Sequence, residues 1–242
     1  MARIGIIGSE GRMGHALVRA IEAAGHEVAG GVDKGGDVAG LADHSDVLLD
    51  FSAPFAVDAN LHAAIGAGIP ILIGTTGLED AHHAAIDGAA RAIAVLQTGN
   101  TSLGIGLLSR LVHEAAARLG QDWDIEIVET HHRNKADAPS GTALMLGAAA
   151  AEAMGTTLAE AGVSDRAGLT GPRAAGTIGM ASLRGGSVIG DHTVVFASDG
   201  ERIELTHRAD DRAIFAKGAI RAALWLPGRD AGRYTMAEVL GV

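Results

Sequence analysis

The segment 129–143 concentrates the side chains of this chain that are best suited to chemistry. It holds His131, His132 and Lys135, followed by the turn Ser140-Gly141-Thr142 at the start of an apolar, Ala-rich run. A histidine exchanges a proton near neutral pH, and a lysine binds an anion or donates a proton when its pKa is lowered. Free backbone N–H groups at the start of a helix bind carboxylate or phosphate. Proton donors beside an anion site predict catalysis on a small acid; the alternative is that the histidines are surface or capping residues.

A glycine-rich loop near the amino terminus predicts a dinucleotide site. After a strand pattern at 3–7, the loop reads Gly8-Ser9-Glu10-Gly11-Arg12-Met13-Gly14 and then opens a helix. Glycines are needed where the chain turns sharply, where a pyrophosphate meets bare backbone and where the helix packs on the strand. The spacing G-x-x-G-x-x-G meets the usual G-x-G-x-x-G pattern only in part. We expect the carboxylate of Glu10 to point to solvent, because it would otherwise weaken pyrophosphate binding.

The pair Asp33-Lys34 follows the second strand pattern and bears on the choice of cofactor. An acid at this place commonly binds the ribose hydroxyls of a dinucleotide. The carboxylate of Asp33 favours NADH, because it repels the 2′-phosphate of NADPH, whereas Lys34 could hold that phosphate. NADH and NADPH are therefore both predicted cofactors, with NADH slightly favoured. The alternative is an exposed pair of turn residues.

Two further loops extend the predicted cofactor site. Each follows a strand pattern, and open α/β sheets bind ligands at the carboxyl ends of their strands. The loops are Gly74-Thr75-Thr76 and Thr98-Gly99-Asn100-Thr101.

Strand and helix patterns alternate through the first half of the chain, which predicts an α/β fold with a Rossmann-like doubly wound parallel sheet. The later pattern of mixed strands and helices predicts a second, α+β domain. We expect a dinucleotide-binding domain at 1–102, to which the segment 212–242 returns, and a second domain at 103–211. Strands are predicted at 3–7, 27–32, 47–51, 70–73, 94–97, 124–130, 176–183, 192–197 and 202–206, and helices at 13–24, 57–67, 79–92, 103–119, 141–154 and 212–226.

Composition excludes several classes of function. The chain of 242 residues has no Cys, which removes disulfides, thiolate zinc sites and cysteine nucleophiles, and no metal site is predicted. A formal net charge of −10 argues against nucleic acid or an anionic membrane as the main partner. The apolar runs are too short to span a bilayer, and the chain runs directly into a strand pattern without a signal peptide. We therefore expect a soluble, cytoplasmic protein.

The run His131-His132-x-x-Lys135-x-Asp137-Ala-Pro-Ser-Gly-Thr-Ala143 resembles the signature of the dihydrodipicolinate reductase family. The likeness extends over nearly the whole chain. It implies NADH- or NADPH-dependent reduction of a cyclic, unsaturated imine dicarboxylate in diaminopimelate and lysine biosynthesis. Further stretches that carry the likeness are Asp50-Phe51-Ser52, Gly190-Asp-His192-x-Val-x-Phe196, Gly200-Glu-Arg-x-Glu-Leu-Thr-His207 and Arg212-x-x-Phe215-Ala-x-Gly218.

The resemblance also implies roles for the residues of the 129–143 segment. A hydride would reach ring carbon 4, and the resulting enamine would take a proton at the neighbouring carbon. His131 is then the proton donor, with Lys135 as a second donor or a stabilising cation. His132 and the turn Ser140-Gly141-Thr142 would bind the two carboxylates of the substrate. The second domain would bind this substrate and form a homotetramer through its sheet.

Two other functions remain open from the sequence alone. A two-domain dehydrogenase of another small acid would use the same nucleotide domain, but it would have little use for two proton donors beside an anion-binding turn. A non-catalytic sensor of nicotinamide redox state could lose His131 and Lys135 without consequence.

Overall fold

Several strand segments of the first half are apolar at all but one position, which predicts burial on both faces of a sheet. In the computed structural model, which describes residues 1–241, Val47–Asp50 and Ile71–Ile73 are buried throughout. The strands are, in chain order, β1 (Arg3–Ile7), β2 (Glu27–Val32), β3 (Val47–Asp50), β4 (Ile71–Ile73), β5 (Ala94–Gln97), β6 (Asp124–His131), β7 (Gly162–Val163), β8 (Ile178–Arg184), β9 (Gly190–Ser198), β10 (Glu201–Ala209) and β11 (Gly232–Tyr234).

The helices connect these strands and cover their faces. A 3-10 turn at Pro54–Ala56 precedes the third of them. The helices are α1 (Arg12–Ala23), α2 (Val38–Asp43), α3 (Val57–Ala67), α4 (Asp80–Ala89), α5 (Leu103–Leu119), α6 (Gly141–Ala153), α7 (Leu158–Ala161), α8 (Ala213–Trp225) and α9 (Met236–Leu240).

The first unit is built on a six-stranded sheet in the order β11-β5-β4-β3-β1-β2, and all of its neighbouring pairs are parallel. Alternate strand residues face opposite sides of the sheet. Leu49 packs with α1 and α8 in one core, whereas Leu48 packs with α2, α3 and α4 in the other. Helices therefore cover both faces, and the predicted doubly wound parallel sheet is confirmed.

The second unit has a mixed five-stranded sheet in the order β10-β9-β6-β8-β7. Strand β6 alternates buried and partly buried residues, as expected for a sheet with one covered face. Its Ile125 and Ile127 join Phe196 of β9 in a core with α5 and α6. The predicted α+β fold of the second domain, with mixed strands and helices, is confirmed.

Contacts divide the chain into one unit of residues 1–103 with the chain from Ala213 onward, and another of residues 104–212. Helix α8 thus belongs to the first unit, as does β11, which pairs with β5. Within residues 1–241, no helix is long and apolar enough to cross a membrane.

Candidate functional site

The glycine loop between β1 and α1 is packed so tightly that side chains are excluded at two of its positions. Gly8 has a φ of 87°, and a Cβ atom there would lie 2.5 Å from the carbonyl oxygen of Phe51. A Cβ atom at Gly14 would collide with the carbonyl oxygens of Ser9 and Gly8. The bare backbone between them, around the exposed Gly11, fits the pyrophosphate of a dinucleotide.

The residues predicted around this loop are linked by the carboxylate of Asp33. Its Oδ2 accepts hydrogen bonds from Ser9 Oγ and from the backbone N–H of Glu10, both at 2.9 Å. The side chain of Glu10 is exposed, as are Arg12 and Lys34, while Met13 is half-buried. Because both hydrogen bonds use Oδ2, the Oδ1 atom of Asp33 remains available to accept another hydrogen bond.

A buried carboxylate at the end of β3 organises the neighbouring loops. Asp50 is fully buried and accepts hydrogen bonds from Ser52 Oγ (2.6 Å), Thr75 Oγ1 (3.1 Å) and Asn60 Nδ2 (3.0 Å). Thr75 therefore supports the loop with its side chain, whereas Thr76 beside it is exposed. Gly74 lies against the ring of Phe51, which leaves no room for a Cβ atom.

The loop after β5 is held by its own side chains and by α8. Thr98 Oγ1 bonds the backbone carbonyl (2.9 Å) and N–H (3.1 Å) of Asn100, and Gly99 is exposed. Thr101 is 2% exposed and donates its hydroxyl proton to the carbonyl oxygen of Phe215 at 2.7 Å. The side chain of Thr101 thus anchors the loop. The predicted contact of Thr101 with the cofactor would have to be made by its backbone atoms.

In the second unit, the end of β6 carries a buried Glu–His pair. Glu129 and His131 are two residues apart on one strand and so share a face of the sheet. The Nδ1 atom of His131 lies 2.5 Å from Glu129 Oε2, and Glu129 is only 1% exposed. Arg184 binds both carboxylate oxygens of Glu129 at 2.8 Å, and the N–H of Ser140 donates to Oε1 at 3.2 Å. The carboxylate fixes the orientation and tautomer of the imidazole, as in other carboxylate–histidine pairs.

The Glu129 carboxylate stays ionised in this setting. Burial is the largest single influence and opposes the charge, but hydrogen bonds from Arg184, His131 and Ser182 outweigh it and hold the pKa of Glu129 at about 2. Because Nδ1 of His131 is bound to this anion, Nε2 is the ring nitrogen that remains available for another partner. A Cβ atom at Gly190 would lie 3.0 Å from Nε2, so the glycine keeps space open beside it.

A second histidine lies beside this pair. The ring of His192, on β9, is 5.1 Å from that of His131 between centroids, in an edge-to-face arrangement. Its Nε2 is 2.9 Å from Ser140 Oγ, and its buried Nδ1 has no hydrogen-bond partner. Burial, followed by the nearby His131, lowers the pKa of His192 to about 4, so the ring is neutral at pH 7.

The burial of His192 predicts an acid sensitivity of the fold. The unfolded chain protonates this ring near the ordinary pKa of 6.5, but the folded chain does so only near 4. Stability should therefore decrease as pH falls from 6.5 towards 4, by on the order of 3 kcal/mol from this group. Urea unfolding at pH values across this range should show a shallower decrease for His192→Gln than for the wild type. Parallel pH dependences in both proteins would contradict this assignment.

The remaining residues of the segment form a braced loop. Lys135 Nζ lies 3.0 Å from Asp137 Oδ2, and this contact is the main cause that lowers the pKa of Asp137. The Nη2 atom of Arg184 donates to the carbonyl oxygen of Asp137 at 2.7 Å. His132 is half-buried, with its Nε2 3.4 Å from an Nη2 atom of Arg212. Arg184 thus ties the Lys135 loop to the carboxylate that holds His131.

The predicted carboxylate-binding turn begins helix α6. Ser140 is its N-cap, with Oγ accepting from the N–H of Ala143 at 3.2 Å. Because its N–H and hydroxyl groups are also bound by Glu129 and His192, Ser140 joins the helix to the histidine pair. Gly141 is exposed and Thr142 half-buried at the same helix end. The structure therefore gives Ser140 a bracing role, and its contact with substrate stays a prediction.

Three residues that contact His131 or its carboxylate partner were not predicted as site residues from the sequence. They are Glu129, Arg184 and His192. The register of the sheet brings them together, because β6 pairs Glu129 with His192 of β9 and His131 with Arg184 of β8. The spacing of Glu129 from His131 on a strand was one available signal, and the stretch Gly190-Asp-His192, which carries the family likeness, was another. Among the described residues 1–241, no group of three or more His, Asp or Glu side chains is placed to hold a metal ion.

Comparison with known protein families identifies the family of this chain, because each of its two units matches a family model. Residues 2–101 match the family described as "Dihydrodipicolinate reductase, N-terminus", and residues 104–240 match "Dihydrodipicolinate reductase, C-terminus". The chain belongs to the dihydrodipicolinate reductase family.

Curated relatives in the dihydrodipicolinate reductase family match over the full chain. A protein named 4-hydroxy-tetrahydrodipicolinate reductase from Zymomonas mobilis subsp. mobilis is 54% identical, with 99% of this chain and 97% of that protein covered. A protein of the same name from Parvibaculum lavamentivorans is 48% identical, with 99% and 98% covered. The resemblance inferred from the sequence motifs is confirmed.

Solved structures show the same fold at lower identity. A dipicolinate-bound dihydrodipicolinate reductase from Paenisporosarcina sp. TG-14 superposes with a TM-score of 0.76 at 22% identity, covering 97% of both chains. A DAP dehydrogenase of C. glutamicum in complex with DAP gives a TM-score of 0.59 at 15% identity, covering 98% of this chain and 93% of the other. The second match shows that other dehydrogenases share the two-unit architecture of the dihydrodipicolinate reductase family.

Proposed function

We propose that this protein is an oxidoreductase that reduces 4-hydroxy-tetrahydrodipicolinate to tetrahydrodipicolinate in the diaminopimelate and lysine pathway. The 4-hydroxyl group leaves as water, which gives the unsaturated imine that accepts the hydride and the proton. The observation that carries this proposal is the 54% identity over 99% of the chain to a relative of that name. The buried Glu129–His131 pair adds a physical reason, because it holds a proton-exchanging ring in one orientation. A redox sensor would have no need for such a pair.

The first unit would bind the dinucleotide. The exposed backbone around Gly11 would receive the pyrophosphate, and Asp33 would meet the adenosine ribose through Oδ1. Loops 74–76 and 98–101 lie at the carboxyl ends of β4 and β5, where they would contact the nicotinamide half. The bound nicotinamide supplies a hydride; every other part of the chemistry falls to side chains of the protein.

The second unit would hold and protonate the substrate. His131 would deliver a proton from Nε2 to the carbon next to the one that receives the hydride, since Nδ1 is bound to Glu129. Lys135 would act as a second donor or stabilise developing charge. His132 and the amino-terminal end of α6 would bind the carboxylates of the substrate. Charge-assisted hydrogen bonds are about twice as strong as neutral ones, which suits a dianionic ligand on an acidic chain.

Substrate binding can be tested with dipicolinate, the aromatic dicarboxylate bound in the related solved structure. In the presence of NADH, dipicolinate should raise the melting temperature of the protein, because a ligand that binds only the folded state stabilises it. Pyridine-2-carboxylate is the matched control and should raise it less, because it lacks the second carboxylate. A shift with NADH but none with dipicolinate would favour a nucleotide sensor or another substrate.

Both nicotinamide cofactors are proposed, and Lys34 is assigned to the 2′-phosphate of NADPH. Lys34→Ala should weaken NADPH binding by about five- to tenfold and leave NADH binding nearly unchanged, because only NADPH carries that phosphate. Titration of protein fluorescence with each cofactor measures the two dissociation constants. Asp33→Asn is the opposing variant and should favour NADPH over NADH, since it removes the repelling charge. If Lys34→Ala lost the same affinity for NADH as for NADPH, the assignment of Lys34 to the 2′-phosphate would be wrong.

The homotetramer and the cytoplasmic location implied by family membership stay predictions, as does the assignment of oligomerisation to residues 103–211.

A further inference from the structure

Phe55 is a large aromatic side chain that the fold leaves in solvent. It is 73% exposed, in a chain with only four Phe residues, whereas Phe196 is fully buried. It lies in the turn Pro54–Ala56, which follows β3 and precedes α3. A single exposed apolar side chain is common on protein surfaces, so the surroundings of Phe55 decide whether the ring has a role.

The position of Phe55 relative to the sheet identifies the surroundings of the ring. Strand β1 lies between β3 and β2 in the sheet, so β3 and β2 are about 10 Å apart. Lys34 follows β2, yet its Nζ lies 5.9 Å from the centre of the Phe55 ring. The two side chains therefore meet across the carboxyl end of β1, which carries the glycine loop. Open α/β sheets bind their ligands at this edge.

The residues next to the pair define which part of a ligand would reach it. Asp33 precedes Lys34 and is bound through Oδ2 to Ser9 and Glu10 of the glycine loop. A nucleotide with its pyrophosphate on that loop and its ribose on Asp33 would carry its base outward, between the ends of β2 and β3. Among the side chains that follow β2 and β3, the ring of Phe55 is the largest exposed apolar surface, since the ring of Phe51 is half-buried.

The geometry points to Phe55 as the residue that stacks on the adenine of the bound dinucleotide. This inference rests on the proposed function, because it requires an adenine dinucleotide in the first unit. Stacking of a base on an aromatic ring does not depend on the 2′-phosphate. Phe55 therefore contributes equally to NADH and NADPH, in contrast to Lys34.

Direct binding measurements with fragments of the cofactor test this role. In calorimetric titrations, Phe55→Ala should weaken both ADP-ribose and NADH by about tenfold. Reduced nicotinamide mononucleotide, which has no adenine, should bind the wild type and Phe55→Ala equally. Phe55→Tyr keeps the ring and should restore wild-type affinity for ADP-ribose. Ile65→Ala, a change at a 38% exposed residue of the following helix, is the control for general effects of truncation.

The outcomes separate this inference from the proposed function. Failure of the wild type to bind either NADH or ADP-ribose would overturn the proposed function. Wild-type binding with unchanged ADP-ribose affinity in a folded Phe55→Ala protein would overturn only the stacking role. An equal loss for the mononucleotide would also overturn it, because the effect would then not depend on adenine. Loss of self-association in Phe55→Ala with unchanged nucleotide affinity would assign the ring to a protein contact instead.

Discussion

Turnover should fall by about 10²- to 10³-fold when His131 is replaced by Gln, while NADH still binds with wild-type affinity. Gln can occupy a similar space and accept or donate hydrogen bonds, but it cannot release a proton to the substrate. The residues proposed to bind the dinucleotide belong to the other unit of the chain, so the affinity for NADH should not change. Steady-state kinetics and a separate titration with NADH measure these two quantities.

A surface histidine provides the matched control. His62 is exposed on α3 and bonds through Nδ1 to a carbonyl oxygen one turn earlier, so His62→Gln should leave turnover unchanged. Wild-type turnover in the His131→Gln protein would contradict the role of His131 as proton donor.

Glu129→Gln should produce the second-largest effect, with turnover reduced by about 10- to 100-fold, because it disturbs the orientation of the general acid without removing it. The amide would present an N–H₂ group either to Arg184 or to His131, both of which now meet carboxylate oxygens. His131 would lose its fixed tautomer, and Arg184 would lose its counter-charge. Because the carboxylate is buried, the variant should also lose about 3 kcal/mol of folding stability.

The pH dependence of stability provides a second readout for Glu129. Its pKa is about 2 in the fold against an ordinary value of 4.5. The contribution of this group is therefore present above pH 4.5 and lost as pH falls from 4.5 towards 2. In Glu129→Gln the decrease in folding stability that this carboxyl group causes between pH 4.5 and 2 should be absent. Urea unfolding across this range measures it.

Glu126→Gln is the control for the loss of a paired carboxylate on the same strand. Glu126 is half-exposed and pairs with Arg166 and Arg173, away from either histidine. It should leave turnover and its pH profile unchanged. If Glu129→Gln lowered stability but kept the wild-type kcat and pH profile, Glu129 would be structural only, and its positioning of His131 would be wrong.

The fold was largely predictable because its signals are local. Helices α3 and α5 begin and end where the apolar pattern predicted, at Val57–Ala67 and Leu103–Leu119. Five short elements were not predicted from the sequence, namely α2, α7, β7, β11 and α9. Strand β11 is only three residues long and owes its structure to pairing with β5, more than a hundred residues away in sequence. Such a pairing leaves no periodic pattern in the chain.

The candidate site was predictable only in part, for the same reason. The glycine loop and the His131 segment are contiguous motifs, so their residue types were visible in the sequence. The side chains that orient His131 come from β8 and β9, and only the strand register brings Arg184 and His192 to β6. Ser140 is a case in which the motif suggested a different contact from the one observed. The motif predicted that Ser140 binds a substrate carboxylate, whereas its N–H and hydroxyl groups bind Glu129 and His192 of the protein.

The proposed substrate, 4-hydroxy-tetrahydrodipicolinate, is made by the synthase that acts one step earlier in the pathway. The most direct test follows the absorbance of NADH and NADPH while that synthase makes the substrate in place from pyruvate and aspartate semialdehyde. Oxidation of either cofactor that requires both the synthase and this protein is the predicted result. No oxidation, from a protein that binds NADH in a parallel titration, would contradict the account and leave a nucleotide-binding protein with another substrate or none.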